Sequence, residues 1–153
     1  MRKLIASSLV AATAFMGASS AMAEKKDADY VEYRQGVFTA VAWNFGPLVA
    51  MAKGEIDFDA DLAQRNAERI AQLASMPLEG FRGGPHDAGD GHTHAKDAIW
   101  ENMDKFEGGM EKFQQEADEL AEVAQQGELG PLRQQVSAVG ESCKKCHDNF
   151  KED

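Results

Sequence analysis

From Ile99 to Ala124 the apolar positions Ile99, Met103, Phe106, Met110, Phe113, Ala117, Leu120 and Ala124 follow one another at alternating intervals of four and three. That spacing keeps one face of a helix apolar throughout, so the segment, read from Thr93 or Ala95 to Gln126, has to bury that face against other helices. The same rhythm recurs. Between about Asp29 and Met51 it runs through Tyr30, Arg34, Val37, Phe38, Val41, Phe45, Leu48 and Val49, and Lys53-Gly54 reads as the stop. Gly46-Pro47 predicts a kink there, since proline lacks a donor and crowds the preceding turn. From Asp59, suited to an N-cap, Ala63, Ala67, Ile70, Leu73 and Ala74 form another stripe, closed by Pro77. The last stripe starts at Pro131, a residue favoured in a first helical turn, and holds Leu132, Val136, Val139, Cys143, Cys146 and Phe150. No strand alternation or internal repeat competes with this pattern. The expected fold is all-α: an antiparallel up-down-up-down four-helix bundle, with one long connection from Glu79 to His92.

Cys143-Lys144-Lys145-Cys146-His147 sits on the last stripe with the spacing of covalent c-type haem attachment. Each thiol can add to a vinyl group of one porphyrin, and the adjacent imidazole can reach the iron from the same side. Two cysteines one turn apart also suit half of a tetrahedral zinc site, which is the alternative. A redox disulfide is disfavoured, because no alternation of strand and helix surrounds the motif. The rhythm of the helix puts both cysteines on its core-facing side, so a haem here is expected inside the bundle.

Arg2 and Lys3 precede an apolar run from Leu4 to about Met16 and the small residues Ala21-Met22-Ala23, the layout of a secretory signal peptide cut before Glu24. The run is shorter than the ~20 residues of a membrane-spanning helix. Residues 1–23 are therefore expected to be removed, leaving one domain over 24–153 in the bacterial periplasm, where haem is joined to such motifs. The formal net charge of −10 becomes more negative when Arg2 and Lys3 leave. That balance disfavours phosphate backbones and anionic membrane surfaces as partners, so no nucleic acid and no membrane insertion are expected. His86, His92 and His94, near Asp87 and Asp90, lack regular ligand spacing and read as polar groups of a solvated loop. Trp43 and Trp100 read as core. No nucleophile and base pair suggests an enzyme.

Tyr33-Arg34-Gln35 on the first helix, Thr93-His94-Ala95-Lys96-Asp97-Ala98-Ile99-Trp100 opening the third, and Val139-Gly140-Glu141-Ser142 running into the cysteine motif and Asp148 stand in one order. Over essentially the whole mature chain this resembles the cytochrome c′ family, four-helix c-type cytochromes with the haem near the C-terminus. The resemblance implies one haem c, linked through Cys143 and Cys146, with His147 as axial ligand. It places Phe38, four residues after Arg34, over the opposite face of the iron. Phenylalanine has no lone pair, so the iron is expected to be five-coordinate and high-spin. Arg34, Gln35 and Thr93 match positions beside the haem edge or propionates. The family often has arginine four residues after the axial histidine; Lys151 stands there, keeping the charge without the planar fork. Members often dimerise through the first two helices, so a homodimer is expected.

Two functions follow from this reading. One is a periplasmic module that takes nitric oxide or carbon monoxide on the Phe38 side; the other is a carrier of one electron to a redox partner. A low-spin variant of the second needs a methionine or histidine as sixth ligand, but Met51 lies near the far end of the first helix, Met103 and Met110 fit the core, and His86, His92 and His94 read better as loop residues than as a metal site or haem ligand. A haem-free zinc protein is the weaker alternative.

Overall fold

The computed structural model describes residues 27–84 and 93–152. The expected signal peptide, residues 1–23, and the loop residues His86, Asp87, Asp90 and His92 lie outside the described residues.

Helix α1 (Asp27–Lys53) opens with Asp27 and Asp29 and ends with Lys53, charges that oppose the partial charges of the helix ends. Gly54 at φ 75° ends it, a left-handed conformation that glycine adopts without a Cβ penalty. The expected kink does not break it: α1 runs on through Pro47. Helix α2 (Ala60–Ala74) starts where expected, with the Asp59 carboxylate accepting from the Leu62 N–H at 2.9 Å. Its Ala63, Ala67 and Ile70 are wholly buried, which lets the neighbouring helices approach closely.

The next segment departs from expectation. Pro77, read as the end of a helix, begins one: α3 (Pro77–Arg82) occupies the start of what the sequence predicted as a loop. It seats against α1 at glycines. A Cβ at Gly80 would come within 3.1 Å of Tyr33 Cδ1, and one at Gly83 within 2.8 Å of Tyr30 Cε1.

The third predicted helix begins later and is split. Helix α4 (Ala98–Glu101) is separated from α5 (Met103–Ala124) by Asn102, at φ −136° and ψ 52°. Thr93–Asp97 is not helical because the C-terminus claims it: Lys96 N–H donates to Phe150 O at 3.0 Å and Glu152 N–H to His94 O at 2.8 Å. Ala95 and Lys151 form an isolated antiparallel bridge, so Lys151 is tied down rather than frayed. Helix α6 (Leu129–Phe150) has Pro131 in its first turn, as expected.

Helix α1 packs on α2, α2 on α5, α5 on α6, and α6 back on α1. That closed order of neighbours is the up-down-up-down four-helix bundle, with α3 lodged against α1 and α4 joining α5 and α6. The stripes meet at its axis, where Leu48, Ile70, Leu120 and Leu132 are at most 1% exposed. Trp43 departs from expectation at 81% exposed. Two residues on from Val41 turns the helix by roughly 200°, which carries position 43 away from the buried stripe.

One polar pair inside the bundle was not anticipated. Gln135 of α6 donates through Nε2 to the Glu116 carboxylate at 2.6 Å and to the Glu116 backbone oxygen at 3.0 Å. Lys112, one turn earlier on α5, completes an ion pair with the same carboxylate. The Lys112 and Gln135 hydrogen bonds hold the Glu116 carboxyl below the usual carboxylate range, against a smaller opposing effect of burial. A depressed folded-state pKa contributes stability that is present above the unfolded value and is lost as pH falls through the folded one. Glu116→Ala removes the carboxylate partner of Gln135 and Lys112, leaving the Gln135 amide its backbone acceptor, and is expected to cost about 1 kcal/mol at neutral pH, with the difference from the parent shrinking below the carboxylate range. Urea unfolding at pH 7 and pH 3 checks both parts.

Candidate haem site

The last two turns of α6 carry the motif, and the four-three rhythm delivers its side chains to one place. Cys143, Cys146 and His147 all line a cleft of about 950 Å³ between α1, α5 and α6. Phe38 and Phe45 of α1, Phe106 and Phe113 of α5, and Val139 supply apolar wall. Gly109 faces it as well; a Cβ there would lie 3.9 Å from Cys146 Sγ. Its neighbour Gly108 meets nothing within 4 Å, and the Gly108-Gly109 pair leaves α5 unbroken.

Burial sets the protonation states. It pushes the Cys143 thiol up, opposed by a Ser142 hydrogen bond, and pushes Cys146 up to about 11, with a smaller contribution from Cys143. The two sulfurs form no disulfide, and before attachment such thiols stay protonated at neutral pH. The imidazole moves the other way: burial and then the charge of Lys151 lower the His147 pKa, while Asp148 opposes them. Neutral His147 is therefore the favoured form, with an unprotonated nitrogen free to bind a metal.

The residues matched to the haem edge converge on the same cleft. Arg34 is 2% exposed, which excludes a surface capping role. Its guanidinium donates to Gly80 O at 3.4 Å and Thr93 Oγ1 at 3.3 Å, and lies 4.7 Å from the Phe81 ring centroid and 5.5 Å from that of Trp100. Burial lowers its pKa from a value so high that the charge persists. Gln35, Thr93 and Lys151 also line the cleft, Gln35 and Lys151 from exposed positions. Of the histidine-rich segment, His94 reaches the lining.

Phe81 escaped the sequence reading. It sits between glycines in a stretch read as loop, and Pro77 at a first helical turn was the available signal. Trp100 is packing, as expected: its indole N–H donates to Phe81 O at 3.2 Å. Met51 is excluded from the cleft lining; it is 1% exposed, and its sulfur accepts from Asp59 N–H at 3.4 Å. Met110 lines the cleft and is 4% exposed.

The donor set and the cavity together test what fits. Among the described residues no three His, Cys, Asp or Glu side chains cluster to hold a bare metal ion. Two free thiols and a neutral imidazole on one wall of a large apolar cleft, with a buried guanidinium nearby, fit a porphyrin with acidic substituents. Fold and site thus define a helical-bundle c-type cytochrome.

The sequence profile of the family described as Cytochrome C′ matches residues 29–151, and the chain belongs to that family. It is 43% identical over 133 residues to cytochrome c′ of Halomonas halodenitrificans, covering 84% of this chain and 98% of that one. The crystal structure of cytochrome c′ from Rubrivivax gelatinosus superposes with a TM-score of 0.78 at 37% identity, over 84% of this chain and 98% of that one. A nitric oxide complex of a leucine-to-isoleucine mutant of cytochrome c prime from Alcaligenes xylosoxidans superposes at 0.74 with 33% identity, over 84% and 98%. The cofactor is covalently attached haem c.

Replacing Arg34 by leucine keeps apolar bulk but removes the guanidinium donor from Gly80 O and from Thr93 Oγ1, which keeps the Ala95 N–H, and takes the cation from two rings. The expected cost is about 2 kcal/mol, read as a lower thermal midpoint of the haem-loaded protein by circular dichroism.

Proposed function

We propose that this is a periplasmic monohaem cytochrome that binds nitric oxide and carbon monoxide at an iron with His147 as its sole protein ligand, and that also passes single electrons. Residues 1–23 export the chain and are removed. Cys143 and Cys146 each add S–H across a vinyl double bond, so both thiols become thioethers and nothing is released. A haem c so attached supplies an iron that takes up a diatomic gas or one electron.

Everything else is the work of side chains. Neutral His147 offers its lone pair from α6. Phe38 faces the cleft from α1 and covers the opposite side without ligating, which leaves five-coordinate, high-spin iron. A gas reaches its place only when the Phe38 ring turns aside, so uptake is slow and bulky ligands are refused. Arg34, Gln35 and Thr93 receive the acidic edge of the porphyrin, where a buried cation offsets burial of a carboxylate. Lys151 holds a positive charge beside His147 and favours its neutral form. The observation that carries the reading is that Phe38 and His147 line one cleft from different helices. The nitric oxide complex of the Alcaligenes xylosoxidans relative supports the choice of ligand.

Absorption spectra of the exported protein in both oxidation states, with and without nitric oxide, test this. High-spin spectra that change on adding the gas are expected, and Phe38→Met is expected to convert them to a low-spin six-coordinate form. A low-spin spectrum in the unliganded parent overturns the reading in favour of a closed electron carrier with a sixth ligand.

A homodimer through α1 and α2 completes the proposal. Trp43 of α1, 81% exposed, provides an apolar anchor of the kind that interfaces bury. Trp43→Glu is expected to shift the protein to monomer in sedimentation experiments while leaving the haem spectrum unchanged.

A further inference from the structure

Phe81 comes from α3 rather than from a bundle helix, and it is 5% exposed. Its ring meets the Phe106 edge at a centroid distance of 4.7 Å, Trp100 at 6.0 Å and Phe38 at 6.4 Å. The Arg34 guanidinium lies 4.7 Å from its centroid, and its carbonyl accepts the Trp100 indole N–H at 3.2 Å. The backbone behind it is equally confined. A Cβ on Gly80, the preceding residue, would lie 3.1 Å from Tyr33 Cδ1 and 3.2 Å from Arg34 Cβ, so α3 already rests against α1 as closely as glycine permits. A ring gripped by two aromatic neighbours and a cation, on a helix with no room to move towards α1, is a fixed wall.

Phe38 is its opposite: half-buried, on the cleft lining, with Phe81 beside it. A phenylalanine leaves a rotamer well only where neighbouring atoms leave space for the new one. The cleft takes up one side of Phe38 and Phe81 stands on another. We infer that Phe81 is a positioning residue for gas uptake: its bulk limits how readily Phe38 turns aside, so the rate of ligand access is set by the Phe38–Phe81 pair and not by Phe38 alone. This rests on the reading of Phe38 as the cover of the gas-binding face. It gives α3 a task in the chemistry, because Gly80 holds Phe81 in place without lining the cleft itself.

Stopped-flow association of carbon monoxide with the reduced, haem-loaded protein tests the pair through Phe81→Leu, Phe38→Ala and the double variant. Phe81→Leu is expected to raise the association rate about tenfold, equivalent to about 1.4 kcal/mol, with a much smaller change in dissociation, and to add nothing once Phe38 is alanine. The second readout is nuclear magnetic resonance of the diamagnetic reduced carbonyl form, where the Phe38 ring is expected to flip faster in Phe81→Leu. An equal rise in both backgrounds overturns the inference, because Phe81 would then obstruct the gas directly. A rise for Phe38→Ala with none for Phe81→Leu overturns the inference and leaves the Phe38 reading intact; no change for either variant removes both. Should Phe81→Leu fail to fold, the flexible Phe81→Met takes its place in the same cycle, with the same expected rise and the same overturning outcomes.

Discussion

The burial of the apolar stripe of α6 against α5 and α1 is the constraint on which the rest depends. One row of side chains performs two tasks along its length. In the first half Leu132, Val136 and Val139 close the bundle core, each at most 6% exposed. In the second half Cys143 and Cys146 continue the row but are left half-buried, because the bundle opens there into the cleft. The helix cannot rotate to hide its thiols or to turn them outward without pulling the first half of the row out of the core. Packing thereby fixes the orientation of the attachment chemistry.

Around that row, the walls of the cleft come from segments with little stability of their own. Helix α3 has six residues and α4 four, both too short to persist in isolation. They are tied to their neighbours by Arg34 of α1, whose guanidinium donates to Gly80 of α3 and to Thr93 ahead of α4, and by Trp100 of α4, whose indole donates to Phe81 of α3. The C-terminus adds a strap, with Glu152 and Phe150 bonded to His94 and Lys96. The strap keeps the end of α6, and with it His147 and Lys151, beside the cleft. A strongly acidic chain has placed its one deeply buried guanidinium among the described residues where an acidic cofactor edge can face it.

Much of this was legible in the residues. The four main helices, their buried faces, the Asp59 cap and the Gly54 stop are encoded within a turn or two of chain, and such signals survive in any context. The cysteine motif is equally local, and so is its coincidence with the stripe of α6. Other features were not legible, for identifiable reasons. The split at Asn102 and the extended run before Ala98 arise because the far end of the chain bonds to His94 and Lys96, over fifty residues away in sequence. Helix α3 forms on the surface that Tyr30 and Tyr33 offer to glycines, a surface that exists only after α1 is in the bundle. The Glu116–Gln135 pair joins two helices whose rotational setting no single stripe specifies. Trp43 is the one misreading that local periodicity already contained, since its angle from Val41 pointed outward.

By itself, then, the sequence determined a helical bundle, the chemistry of its cofactor attachment and the helix face that bears it. Those properties depend on spacing of three and four residues and on side-chain reactivity, both of which act at short range. Only the tertiary structure decided that Arg34 is buried, that Phe81 stands beside Phe38, and that the C-terminal strap borders the cleft. Each of these joins segments far apart along the chain, and such contacts acquire their energy only when the bundle has closed around them.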